Sequence, residues 1–238
     1  MSDALEHPCA TVLITTRDRR ERLRHALRSC DEQTAAIEIL VLDDGSSDGT
    51  AEMVRREFPH VRVERSEQSL GCPAQRNRGV ALARGEVVVC LDDDASLSSP
   101  QVVEQTVDGF DDAAVGVVTI PYINVRREDW IRQAAPGPGR WAAGAFAGGA
   151  SAVRRSAFLA CGGYADFREH GEETDLAVRL LDRGFVVRLG AGHHVVHHEA
   201  VLHKSPGAYA GSSRNHLLTV WRTVPWPYLP GRLALVAV

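Results

Sequence analysis

Three runs of consecutive apolar residues each lead straight into a polar cluster, and this pattern restricts the fold more than any other feature. Residues 11–15 run into Thr15-Thr16-Arg17-Asp18, residues 37–42 into Asp43-Asp44, and residues 86–91 into Asp92-Asp93-Asp94. Between them lie segments of helical period. Residues 19–30 place Leu23, Ala26, Leu27 and Cys30 on one face, as an amphipathic helix does. Residues 51–58 form a second helix stopped by Pro59, and residues 61–64 a short third strand. Pro73 opens a helix over 74–83, for which Gly85 is the expected cap. Strands apolar along their whole length, alternating with helices, belong to a parallel sheet covered on both faces. Such sheets bind ligands beyond the carboxyl ends of their strands. Carboxylates are costly wherever they lose water, so their collection at one sheet edge predicts a shared ligand or metal.

The second half is less regular. It predicts a helix over 101–110, a strand over 115–120 and a long, partly mobile loop over 121–149, rich in Gly, Pro and Trp. A short helix over 155–160 precedes a turn at Cys161-Gly162-Gly163-Tyr164. Residues 172–183 form a helix with carboxylates in its first turn and Gly184 past its end. Short strands over 186–189 and 195–197 and a helix over 206–221 complete the pattern.

Composition removes several function classes. The 238 residues are 44% apolar and 24% charged with a formal charge of −4, an ordinary globular balance with no basic surplus for nucleic acid. Lys204 is the only lysine, so there is no phosphate-binding loop of the G-K-[ST] type. Five cysteines without a C-x-x-C pair read as buried, reduced thiols in a cytoplasmic protein. No leader is expected in the first residues, and no run reaches the roughly 18 apolar residues of a membrane span. The C-terminal residues 223–238, with Trp226, Tyr228 and a final apolar run, read as a last packed segment or as a peripheral contact with a membrane or partner.

Several segments together carry a resemblance. Leu40-Val-Leu-Asp-Asp-Gly-Ser-Ser-Asp-Gly-Thr50 is followed by Gly71, Gln75-Arg76-Asn77-Arg78-Gly79 and Leu91-Asp92-Asp93-Asp94. Gly162-Gly163-Tyr164, Gly171-Glu172-Glu173-Thr174-Asp175-Leu176 with Arg179, Val195-Val196-His197 and Ser213-Arg214-Asn215 come next. In this order they resemble the motifs of the family 2 glycosyltransferases of the GT-A fold. The resemblance implies a single α/β domain over 1–238 with a mostly parallel, Rossmann-like sheet. Residues 10–94 would form its nucleotide-binding half and residues 95–222 its acceptor side. It implies inverting transfer of a sugar from a nucleotide-sugar donor with Mg2+ or Mn2+. The acceptor stays open among a glycan, a lipid-linked molecule and a small molecule.

The residues support roles within that frame. Asp44 at a strand end can accept the imide N–H of uracil or thymine, which points to a UDP- or dTDP-linked donor. An aspartate that merely caps the turn over 46–50 fits Asp43 or Asp48 better. Thr15 and Arg17 would line the same pocket, with Arg17 standing where the family often has an aromatic ring. Arg76 fits a place beside the base or diphosphate, or a plain surface helix. Asp92 and Asp94 share one face while Asp93 points away, though Asp93 stays in the nucleotide-binding group with Asp92. Asp94 is the expected metal ligand, since hard carboxylates suit Mg2+ or Mn2+. His193, His194, His197, His198 and His203 cannot all converge from an extended strand. The resemblance favours His197 alone, as a further ligand or a packed neighbour.

The resemblance also implies that Glu173, where the family usually has aspartate, is the base that deprotonates the acceptor. Glu172 is its rival, and the helix dipole is expected to keep both ionised. Trp130 and Trp141 in 121–149 would shape the acceptor site. Other readings are a catalytically silent nucleotide-sugar sensor or scaffold and a nucleotidylyltransferase. The latter usually carries a glycine-rich loop after its first strand, where this chain has Thr15-Thr16-Arg17-Asp18. A signalling receiver domain needs a lysine on a later strand, and Lys204 lies too far along the chain.

Overall fold

β-Branched and leucine-rich runs pair side by side in the computed structural model, which describes residues 8–126, 130–167, 171–198 and 206–236. Strand β1 (Ala10–Thr16) lies between β2 (Ile37–Asp43) and β4 (Val87–Asp92), parallel to both. Strand β3 (Arg62–Arg65) extends the sheet beyond β2. Beyond β4 follow β9 (Ala150–Arg154), β6 (Val115–Thr119), β10 (Val186–Arg188) and β8 (Ala142–Ala143), giving the order β3-β2-β1-β4-β9-β6-β10-β8. Strand β9 runs antiparallel to both β4 and β6, so the parallel pattern reverses there.

Successive side chains of a strand alternate between faces, and the core divides accordingly. Val12, Ile14 and Val89 pack with Leu23 and Leu27 of α1 (Arg20–Asp31) and Met53 of α2 (Thr50–Glu57). Leu13, Val88 and Cys90 pack on the other face with Val80 of α3 (Cys72–Leu82). Phe158 of α5 (Arg155–Ala160) and Leu176 and Leu180 of α6 (Glu172–Asp182) join that second layer, while Val102 and Val103 of α4 (Val102–Asp108) join the first.

A second, smaller sheet positions the site. Strand β11 (Val195–His197) lies between β5 (Ala95–Leu97), antiparallel, and β7 (Tyr122–Asn124), parallel. Its register places His197 opposite Ala95, the residue after Asp94. The amide of His198 donates to the carbonyl of Asp94 at 2.8 Å, which fixes the histidine strand against the aspartate cluster.

Four expectations need correction. Residues 121–149 contain β7 and the edge strand β8, so part of that segment is tied into both sheets. Gly85 does not cap α3, which ends at Ala83 in an extended conformation. It lies against β1 instead, where an added Cβ would stand 2.6 Å from the Ala10 carbonyl carbon. Cys9 and Cys72 are exposed, while Cys30, Cys90 and Cys161 are buried. Near the C-terminus, helices α7 (Pro206–Thr223) and α8 (Leu229–Val236) leave Trp221 64%, Trp226 77% and Tyr228 73% exposed, so these rings are not packed. No helix among the described residues is long and apolar enough to cross a membrane. Asp43 and Asp48 hold the turn as expected: Asp43 accepts the Ser46 amide at 2.8 Å and Asp48 the Thr50 amide at 3.0 Å.

Because the group nearest to Gly85 is backbone, a side chain there cannot be accommodated by a rotamer change. Gly85→Ala is expected to lower stability by about 1–3 kcal/mol, as overpacking does, read from the urea midpoint at unchanged m-value.

Candidate functional site

The carboxyl ends of β1, β2 and β4 open into a cavity of about 460 Å3. Seven of the expected residues line it: Thr15, Arg17, Asp44, Asp92, Asp93, Asp94 and His197. Arg76 and Glu173 are not in its lining: Arg76 touches it through Asp92, and Glu173 stands behind Arg76. The cavity also takes in Thr16, Arg19, Cys72 and Gln75, which sequence reasoning did not assign to the site.

Asp92, Asp94 and His197 offer one ligand atom each within 4.8 Å of one another. The His197 Nε2 lies 3.2 Å from Asp92 Oδ2 and 3.3 Å from Asp94 Oδ1. Two hard carboxylate oxygens and an imidazole nitrogen make a donor set that fits Mg2+ or Mn2+. The chain meets these charges with its own cations. Arg76 donates to Asp92 Oδ1 at 2.7 Å, Arg22 to Asp94 Oδ2 at 3.2 Å and Arg19 to Asp93 Oδ1 at 2.9 Å. Burial by itself would raise the Asp92 pKa, but the His197 hydrogen bond and the Arg76 charge outweigh it and hold the group down at about 2. Asp93 lines the same cavity but bonds to other groups: it accepts from the Thr16 hydroxyl at 2.7 Å, shares Arg19 with Asp94, and burial leaves its pKa raised. Of the other histidines, His198 faces Ser96 at 3.1 Å, His193 is exposed and His194 is half-buried. His203 lies outside the described residues.

Asp44 is the most heavily bonded side chain of the cavity. Its Oδ1 accepts from the Leu70 amide at 2.7 Å and from Gln75 at 2.6 Å, and its Oδ2 from the Ser69 hydroxyl at 2.6 Å and the Gly71 amide at 3.1 Å. These donors outweigh burial and lower its pKa. Asp44 thus clamps the loop that leads into α3. Arg17 is exposed and, among the described residues, pairs only with Asp18, at 3.8 Å. Thr15 meets the Cys72 thiol at 3.4 Å.

Arg76 is 6% exposed, so it is no surface arginine. Besides Asp92 it faces Glu173 Oε1 at 3.6 Å. Room for this comes from Gly148 and Gly149. A Cβ on Gly148 would collide with Arg76 and Glu173, and one on Gly149 with Asp92. A Gly-Gly pair just before a strand is the signal that could have placed 148 and 149 at the site.

At the start of α6, Glu172 is also 6% exposed, and its Oε2 is buried with no hydrogen-bond partner among the described residues. Backbone amides at the helix start favour the ionised forms of Glu172 and Glu173. Burial, and for Glu173 the charge of Glu172, outweigh them, so both pKa values are raised. The helix start therefore does not bring either pKa below the ordinary glutamate value. The turn beside them is pinned by Asn77, which accepts the Tyr164 amide at 2.8 Å and donates to its carbonyl at 2.9 Å. Arg179 completes the clamp, donating to the Gly163 carbonyl at 2.8 Å and to Asp175 at 2.6 Å.

Residues 11–171 match the model of Glycosyl transferase family 2. Among characterised relatives, the glycosyltransferase AglE of Haloferax volcanii is 30% identical over 95 residues, 37% of this chain and 31% of that protein. The chain therefore spans about a third of the length of such relatives. Mannosyltransferase PcManGT from Pyrobaculum calidifontis, solved with GDP-Man and Mn2+, superposes with a TM-score of 0.72 at 21% identity, covering 99% of this chain and 70% of that one. S. aureus TarS 1-349 in complex with UDP-GlcNAc gives 0.71 at 16% identity, with 96% and 71% covered. At these identities the likeness to solved structures establishes the fold.

The raised glutamate pKa values have a consequence for stability. A carboxyl that binds its proton more tightly in the native state contributes full stability below its unfolded pKa, about 4.3 for glutamate. That contribution is lost as pH rises towards the folded value. Glu172→Gln removes one such group. The variant is expected to melt above the parent at pH 8 and to show a flatter decline in melting temperature from pH 4 upward. A lower melting temperature across that whole range would mean that the carboxylate is stabilising.

Proposed function

The chain belongs to glycosyl transferase family 2, and from that membership we propose that it transfers a sugar from a nucleotide-sugar donor to an acceptor hydroxyl with inversion at the anomeric carbon. The observation that carries this reading is the convergence of Asp92, Asp94 and His197 within 4.8 Å on a cavity at the sheet edge, with Glu173 brought up to the same carboxylates by Arg76. Asp92, Asp94 and His197 would hold Mg2+ or Mn2+, which supplies positive charge to a departing nucleoside diphosphate. To act as a ligand, the His197 Nε2 gives up the proton that it shares with the two carboxylates.

Glu173 takes the proton of the acceptor hydroxyl while that oxygen bonds to the anomeric carbon and the bond to the diphosphate oxygen breaks. Its raised pKa makes it a stronger base once ionised. Arg76 positions it and screens it from Asp92. Thr15, Arg17 and Asp44 would line the nucleoside end, with Asp92 and Asp93 beside the ribose and diphosphate. For Asp44 to read the imide of uracil or thymine, one of its four donors must yield, and the Ser69 hydroxyl is the one that turns away at least cost. Trp221, Trp226 and Tyr228, exposed beside Arg222, suit peripheral contact with a membrane surface.

Two measurements test the reading. In the presence of Mn2+, Glu173→Gln should lose transfer by about 10²–10⁴-fold, the usual worth of a general base, with donor affinity kept. Full activity in that variant, or full activity of the parent in EDTA, would overturn the assigned roles. In thermal-shift assays UDP or dTDP should stabilise the parent more than CDP or ADP do, and Asp44→Asn should erase the difference. Equal stabilisation by all four nucleotides rules out base reading by Asp44.

A further inference from the structure

A second cavity, of about 280 Å3, meets the first only at Asp94. Its other walls are Glu21, Arg22, His25, Arg126 and His198, so four of six lining side chains are cationic or can become so. The two acids already have cations of their own. Glu21 pairs with Arg24 and with Arg20 at 3.3 Å, and Asp94 with Arg22 at 3.2 Å and Arg19 at 3.7 Å. The Arg126 guanidinium, by contrast, makes no ion pair or hydrogen bond among the described residues, where only its backbone amide is engaged, by Asn124. His25 and His198 stand edge to face with ring centroids 5.3 Å apart.

We propose that this cavity is an oxyanion site that takes a phosphate group other than the donor's diphosphate, held by Arg22, His25, Arg126 and His198. Guanidinium groups approach phosphate oxygens through paired N–H donors, and each imidazole adds an N–H from another direction. A tetrahedral anion holds its oxygens out of any single plane, so donors spread around a cavity can each reach one. The volume leaves space for an organic remainder on the phosphate, so free phosphate, a soluble phosphoester and a lipid headgroup share the chemistry. The proposal rests on the proposed function only in giving the larger cavity to the donor.

The test is a thermal-shift titration of the full chain in EDTA with inorganic phosphate, against chloride at matched ionic strength. The parent should be stabilised saturably by phosphate beyond the chloride control. Arg126→Gln and His25→Asn should each raise the apparent Kd for phosphate at least tenfold, and both should respond to UDP with Mn2+ as the parent does. Both side chains are exposed, so folding is not at stake. Absence of phosphate-specific stabilisation in the parent, or unchanged phosphate affinity in both variants, overturns the site. If the parent responds to phosphate but not to UDP with Mn2+, the donor reading falls and this one stands. Co-sedimentation with phosphatidic acid vesicles, against phosphatidylcholine alone, separates the sources. Binding that Arg126→Gln abolishes assigns a lipid headgroup, and phosphate affinity without vesicle binding assigns a soluble ligand.

Discussion

A guanidinium buried to the extent of Arg76 has to be neutralised where it lies, because breaking such a pair costs about 3–5 kcal/mol. The neutralising groups come from separate parts of the chain: Asp92 from the end of β4 at 2.7 Å and Glu173 from the start of α6 at 3.6 Å. Arg76 itself sits on α3. One cation therefore ties two helices and a central strand to a common point at the sheet edge. The approach is possible only because residues 148 and 149 carry no side chain, since a Cβ on either would occupy space that Arg76, Glu173 and Asp92 already fill. The geometry of the cavity follows from that single buried charge and the backbone left bare beside it.

The same arrangement sorts the carboxylates by role. Asp92 has an imidazole and a guanidinium against it and is held at about 2, so it stays ionised as a ligand must. Glu173 is more weakly matched, is buried and faces the charge of Glu172, and its pKa is raised, as suits a group that takes up a proton. Carboxyl groups a few ångströms apart are thus driven in opposite directions by their surroundings, the usual way in which one site separates acid–base work from charge binding. Arg19 and Arg22 add a further layer. They neutralise Asp93 and Asp94 in the absence of any ligand, which keeps a run of three aspartates compatible with a folded sheet edge.

Much of this was legible in the sequence because it depends on local pattern. The apolar runs gave β1, β2 and β4 nearly to the residue, and their acidic ends gave the site. The distinction between Asp43, which caps its own turn, and Asp44, which faces the cavity, was also readable. What could not be read depends on long-range contact. His197 reaches Asp94 through the pairing of β11 with β5, across about a hundred residues of chain. Gly85 looked like a helix cap because its neighbour on β1 is invisible in sequence. The raised pKa values of Glu172 and Glu173 escaped for a related reason: a helix N-terminus is visible in sequence, but the burial that outweighs it is not. Gln75 stood within a recognised motif, but its role as a donor to Asp44 was not readable because that partner lies 31 residues away.

Position 173, where the resemblance implies aspartate and the chain has glutamate, can be understood from the same contacts. The start of α6 is fixed from below: Asp175 holds Arg179, and Arg179 holds the Gly163 carbonyl at 2.8 Å, while Asn77 ties the next residue of that turn to α3. With the backbone of residue 173 set in this way, the length of its side chain decides where the carboxylate stands. The additional methylene of glutamate carries it towards Arg76, into the space above Gly148 that any other residue would fill. Glu173 and Gly148 therefore act as a complementary pair, a longer side chain matched to a backbone without one. The carboxylate stands 3.6 Å from Arg76, so the ion pair depends on both the longer side chain and the bare backbone beside it.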